Sequence, residues 1–361
     1  MKKALFLAFI LIFGVASIAM AQGYGLQSNT ANVSQPGSVL IFPKIDVSGG
    51  FDTVITISNI AASGVTLHCF YMDSAQFVTD FSIPLTANQP VAFSAGKTTG
   101  GQALAAPPGF TTPPFVSGPI KMMKGELICV AVDADGSDRA ISWNYLTGSA
   151  KVIDFTSLTA YEYNAWSFQH IGRVGNLLTA LVPDGTVDYS SGVVKLDGNK
   201  YSACPEYFLG NFFATGSGNN GLILDTDLTL VPCKQDVREL NRQAIWTNAQ
   251  FYMWNADESP YSGTDICLKC WYEDVLSDIS SQFDYSVLQT SVARFRVNGV
   301  AVATCGTATD PSVNTPFVGL LVEKLDFGGA SPIIKTASTG FGAGEDDSGS
   351  IIWTPIPPTT K

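Results

Sequence analysis

Cys267-Leu268-Lys269-Cys270 has the spacing of a dithiol redox centre. Such a centre needs a helix N-terminus beside the thiol, in an α/β fold, to lower its pKa. These four residues lie inside an apolar alternating run instead, which favours a strand over redox chemistry. A zinc ribbon would need a second close pair of ligands, and the sequence offers none. The only histidines are His68 and His170. His68 alternates with apolar positions and is expected to face solvent or a second layer, as a structural histidine rather than a ligand.

Asp347-Ser348-Gly349 has the local composition of a serine-protease nucleophile region. No matching histidine segment precedes it, and no G-x-S-x-G elbow occurs, so an acidic turn is expected there. Gly340-Phe341-Gly342-Ala343-Gly344 leads into no helical pattern and does not read as a phosphate cradle. Asp133, Asp135 and Asp138 have calcium-like spacing, and they are the candidate metal ligands. Asn144 stands where a helix-loop-helix calcium site places its bidentate Glu, so a strand-connecting turn is the competing reading. Glycosidase carboxylates cannot be chosen from 31 acidic residues without geometry. Phe70, Trp143, Trp254 and Trp271 could stack on sugar rings or could fill a buried layer. No catalytic residue and no cofactor is assigned.

The elements that would carry these residues read as strands. Ser38–Phe42, Thr53–Ser58, Val65–Tyr71 and Gly125–Val132 alternate or run apolar, with turn residues between them. The run Gly125–Val132 is apolar on both faces, as a central strand would be. Only 14% of residues are charged, and the polar remainder is rich in Ser, Thr, Asn and Gly. That balance suits strands and turns.

VTLHCFYMD (Val65–Asp73) resembles ICLKCWYED (Ile266–Asp274), and flanking strand-like runs recur in the same order. This pattern predicts an internal duplication. The expected fold is all-β: two tandem β-sandwich (Ig-like) units with an intervening β-rich segment, stabilised by disulfides. The divisions are 1–21, a signal peptide; 22–37, an N-terminal extension; 38–148, the first unit; 149–220, the intervening segment; 221–356, the second unit; and 357–361, a tail. The 22–36 stretch could exchange as a strand with a neighbouring copy.

Lys2 and Lys3, an uncharged run from Ala4 to Ile18, and Ala19-Met20-Ala21 form the three-part pattern of a cleaved secretory leader. No second run is long enough to span a bilayer as a helix. The chain is therefore expected to be exported, to the periplasm, the cell surface or beyond. Cleavage would leave 18 Lys+Arg against 31 Asp+Glu, a net of −13. Such a surface repels nucleic acid. In an exported chain the seven cysteines mean disulfides first. Cys69–Cys129, Cys204–Cys233 and Cys270–Cys305 are the expected pairs, leaving Cys267 free.

The segments SVLIFPKIDVSGGFDTVITISN (38–59), VTLHCFY (65–71), KGELICVAVDADG (124–136) and TDLTLVPCKQD (226–236) resemble those of exported bacterial β-sandwich proteins of unassigned function. The resemblance implies a secreted β-protein and no activity. A non-enzymatic structural, adhesive or assembly protein is the leading expectation. Its partners would be cell-surface components, glycans or copies of itself. A carbohydrate-binding protein is the alternative, and a secreted hydrolase stands behind both.

Overall fold

The computed structural model describes residues 30–96, 124–133, 138–171, 173–174, 177–178, 185, 187, 192–216, 223–307, 309–327 and 333–354. The leader and Asp135 lie outside them. Strands dominate. The first group is β1 (Val39–Asp46), β2 (Phe51–Asn59), β3 (Val65–Met72), β4 (Val78–Leu85), β5 (Pro90–Ser94), β6 (Lys124–Val132), β7 (Leu146–Asp154), β8 (Thr159–Asn164) and β9 (Trp166–Phe168). Then come β10 (Arg173–Val174), β11 (Leu177–Leu178), β12 (Val193–Leu196) and β13 (Tyr207–Phe213). The last group is β14 (Ile223–Pro232), β15 (Lys234–Asp236), β16 (Trp246–Asn255), β17 (Pro260–Lys269), β18 (Tyr272–Val275), β19 (Val292–Val300), β20 (Phe317–Asp326), β21 (Ile334–Ser338), β22 (Phe341–Ala343) and β23 (Gly349–Ile352). Among the described residues, helix is confined to short turns between Leu276 and Leu288.

The strand orders are β4-β3-β6-β1-β9, β5-β2-β7-β8, β12-β23-β15, β17-β16-β19-β13-β22 and β18-β14-β20-β21, with a small β10-β11 ribbon. These small sheets form a five-bladed, propeller-like all-β body. The expectation of two tandem sandwich units is thereby corrected. Three observations show why it fails. The division at 148/149 falls inside β7, which pairs with β2 along its length. Strand β13, from the segment read as intervening, sits between β19 and β22. Strands β1, β3 and β6 are buried on both faces, and each face feeds a different core.

That last point is set by side-chain alternation. On β1, Leu40 and Phe42 join one apolar cluster with Ile55, Leu67 and Leu127. Val39 and Ile41 join the other, with Phe70, Ile128, Leu230 and Phe251. Residues from the far half cross over too, since Leu320 and Val322 of β20 lie in the first cluster. Pro43 has no N–H for the ladder, and the β1–β6 register shifts between Phe42 and Ile45. The bulge lets Lys44 Nζ meet Glu273 Oε1 at 2.7 Å, both side chains being buried. Three indoles bridge the same halves. Trp271 donates to Pro43 O (2.7 Å), Trp166 to Gly319 O (2.9 Å) and Trp353 to Asp138 O (3.1 Å).

The duplication is also corrected. VTLHCFY lies within the unbroken strand β3, paired with β4 and β6. ICLKCWYED instead ends β17, turns at Cys270 with φ 52°, and starts β18. Its two parts pair with different strands, β16 and β14. A strand and a strand-turn-strand share a pattern here without sharing a structure.

Cys69–Cys129 and Cys204–Cys233 are bonded. The first pair are directly opposed neighbours on β3 and β6, in one sheet, rather than on two facing sheets. The third bridge is Cys267–Cys305, and Cys270 is the free, buried thiol, which reverses the expected choice. Cys267 lies on the outer side of β17. Alternation places Cys270 inward with Leu268, and it is the outward Cys267 that meets Cys305. Residues 30–37 of the N-terminal stretch dock on their own chain. Ala31 N donates to Ala203 O, Asn32 N to Ser167 O and Gly37 N to Leu146 O.

A non-reducing digest should yield the three pairs 69–129, 204–233 and 267–305. A thiol reagent should modify Cys270 only after denaturation. A 270–305 peptide, or labelling of Cys270 in the native protein, would contradict the arrangement.

Candidate functional site

Two places gather polar and aromatic groups. The first is a cleft of about 420 Å³ whose lining includes His68, Phe70, Asp80, Arg238, Glu239 and Trp353. His68 projects from β3 and is buried, not solvent-facing. Its Nδ1 meets Asp138 Oδ2, its Nε2 meets Asp80 Oδ2 at 2.8 Å, and its ring stacks on Phe70 at 4.2 Å. Burial alone would lower the imidazole pKa. The hydrogen bonds and charges of Asp138 and Asp80 outweigh it and raise the pKa to about 9. The ring is therefore an imidazolium at neutral pH, with both nitrogens donating to carboxylates.

That arrangement resembles part of a catalytic triad but cannot act as one. A general base needs an unprotonated nitrogen facing its substrate. Asp80 is held below the usual carboxylate range, chiefly by the His68 hydrogen bond. A glycosidase acid would need a carboxyl raised to hold its proton, the opposite of the direction at Asp80. The cleft is a clamp between β3, β4 and the chain at Asp138.

The second place is the outer face of β13, β19 and β16. Phe251 and Met253 point into the core, so Tyr252 and Trp254 point out. Phe295 and Val297 are buried, so Arg294 and Arg296 point out beside them. The register sets Tyr252 opposite Arg296 and Trp254 opposite Arg294. The Arg296 guanidinium stands 4.6 Å from the Tyr207 ring centre and 4.7 Å from that of Tyr252. That of Arg294 stands 5.0 Å from Trp254. Phe341, 64% exposed, and Val292 extend the apolar rim. Neither arginine has an ion-pair partner among the described residues.

The sequence candidates divide between these places and the core. Phe70, Trp143 and Trp271 are buried and cannot stack on a ligand, whereas Trp254 lies on the outer face. Asp133 pairs with Arg139 at 2.8 Å, and Asp138 pairs with His68. Neither could turn to a calcium ion without leaving a cation. Ser348 Oγ donates to Asp346 Oδ1 in a turn before β23. Cys267 is bonded to Cys305, and burial, then the nearby Glu126 charge, pushes the Cys270 thiol up to about 12. The C-x-x-C therefore holds one locked sulfur and one inert one. Sequence reading missed Tyr207, Tyr252, Arg294 and Arg296. The alternations Phe251-Tyr252-Met253-Trp254 and Arg294-Phe295-Arg296-Val297 carry the signal for all but Tyr207.

No family model matches the chain, and no curated protein matches it. Among solved structures it is similar to a protein of Parabacteroides distasonis ATCC 8503 called a "putative secreted protein". The identity is 8%, the alignment covers 84% of this chain and 96% of that one, and the TM-score is 0.16. So low a score carries no argument about fold or activity. The three disulfides are those of a chain folded in an oxidising compartment, consistent with export. Among the described residues, no helix is long and apolar enough to cross a membrane.

The clamp gives a pH signature with a definite sign. The folded His68 pKa of about 9 lies above the usual 6.5. Its stabilisation, on the order of 3 kcal/mol, is full below pH 6.5 and lost as pH rises through 9. The Asp80 contribution is present above the ordinary carboxylate pKa and lost on acidification. Urea unfolding should therefore show the largest difference between wild type and His68→Gln near pH 5 to 6. That difference should shrink by pH 10. A difference independent of pH would contradict the clamp.

Proposed function

We propose that this is a non-enzymatic, exported adhesive or recognition protein. It binds surface components of the envelope or its surroundings through the outer face of β13, β19 and β16. The observation that carries the reading is the ladder Tyr207–Arg296–Tyr252 with Arg294 on Trp254. Surface aromatics and arginines of this kind are the residues most enriched at binding hot spots. The stacking holds the long arginine side chains in place, so less rotamer entropy is lost when a ligand arrives. Tyr207, Tyr252 and Trp254 are each half-buried.

A binding role is also supported by what the cleft does with its groups. Its histidine is doubly capped, and its Asp80 carboxyl is held below the usual range, the wrong direction for an acid catalyst. The hydrolase reading therefore stands behind the recognition reading. Three disulfides at separate places in the chain suit a rigid scaffold that must persist outside the cytoplasm.

Protein lacking residues 1–21 should sediment with isolated cell-envelope material or with surface polysaccharide. Trp254→Ala should lower that binding by roughly tenfold, as loss of one central aromatic does, without changing the far-ultraviolet circular dichroism or the thermal midpoint. Equal binding by wild type and Trp254→Ala would remove this face from the account.

A further inference from the structure

We infer that the arginine–aromatic face takes a carboxylated polysaccharide, with Arg294 and Arg296 each reading one carboxylate of the repeating chain. The inference rests on the recognition reading above and names its ligand class. It begins from charge. The sequence has 31 acidic residues against 20 basic ones, yet this face presents two arginines with no ion-pair partner among the described residues. Two carboxylates on neighbouring segments are engaged elsewhere. Asp265 accepts from Asn248 Nδ2 at 2.5 Å, and Glu206 lies against the Tyr207 hydroxyl.

Geometry then narrows the anion. Stacking on tyrosine and tryptophan rings uses the guanidinium faces and leaves in-plane N–H groups that fit a carboxylate bidentately, through the two Nη ends in Arg296, whose Nε is buried. Arg294 and Arg296 are two residues apart on β19, so their backbones are separated by about 6.8 Å. Each is also held by its own ring. Two forks fixed in this way suit successive charges on a polymer better than one small ion. The rings between them offer flat apolar surface for the C–H faces of sugars.

The overall negative charge argues against nucleic acid as the polymer. Duplex DNA carries one charge per about 1.7 Å, and a chain of net −11 repels so dense an array over long range. A polysaccharide with one carboxylate per sugar or disaccharide is less densely charged. It can meet the local arginine pair without confronting the rest of the surface.

The test uses polygalacturonate, its fully methyl-esterified form and duplex DNA as probes, with calorimetric titration of protein lacking residues 1–21. Polygalacturonate should bind, and esterification should weaken binding at least about tenfold, the scale of one lost charge-assisted pair. The double variant Arg294→Lys, Arg296→Lys keeps the charge but loses the planar fork. It should lose affinity to a similar extent while its thermal midpoint holds. Arg294→Lys alone, at an exposed position, should show part of the loss and guards against misfolding of the double variant. Equal binding to the esterified polymer, or no effect of the lysine variants, would overturn the carboxylate assignment. If Trp254→Ala still abolished binding, the recognition reading would survive that outcome. DNA binding as tight as polygalacturonate binding would overturn the ligand class. No binding to any probe, together with no binding to envelope material, would overturn both.

Discussion

A sheet that is apolar on both faces must be covered on both faces, and strands β1, β3 and β6 build such a sheet. Their alternation sends Leu40, Phe42, Leu67 and Leu127 one way and Val39, Ile41, Phe70 and Ile128 the other. Each buried side chain of this size is worth roughly 1.5–3 kcal/mol, so neither face can be left to solvent. The first half of the chain therefore cannot finish its core alone. It borrows Leu320 and Val322 for one side, and residues of β14 and β16 for the other. The propeller-like arrangement of small sheets, in place of two self-sufficient units, follows from that need.

Burying both faces also buries backbone and charge, and the polar stitches answer that cost. The β1 bulge exposes Pro43 O, which the Trp271 indole satisfies, and directs Lys44 to Glu273. An unpaired lysine there would be strongly destabilising. Lys124 adds a second cation on Glu273 at 3.3 Å. At the rim, the imidazolium of His68 neutralises Asp138 and Asp80. Inside, burial keeps the Glu126 carboxyl well above the usual range, with Gln235 beside it pulling the other way. The resemblance segment containing Phe42-Pro43-Lys44-Ile45-Asp46 is thus a packing device. It joins the two halves.

Much of the local structure was legible in the sequence. Runs read as strands at 38–42, 53–58, 65–71 and 125–132 are β1, β2, β3 and β6. Two disulfides followed from spacing. The third did not, because alternation gives the faces of Cys267 and Cys270 but not which of the two the loop bearing Cys305 approaches. The apolar-both-faces character of Gly125–Val132 already signalled a covered central strand, but which segment supplies the cover depends on long-range pairing. The supposed duplication failed for the same reason: pattern fixes a strand's faces and leaves its neighbours undetermined. The arginine–aromatic face was half visible. Trp254 stood out by residue type, whereas its partnership with Arg294 and Arg296 depends on the β16–β19 register.

A rigid two-core body gives the outer face of β13, β19 and β16 its fixed geometry, since the inward side chains of those strands pack in one of the cores. The most direct measurement of this dependence is scanning calorimetry of the disulfide-intact protein lacking residues 1–21. One transition is predicted, with calorimetric and van't Hoff enthalpies equal, as for a single cooperative unit. Two resolved transitions, each with its own enthalpy, would contradict the claim that the halves share their cores.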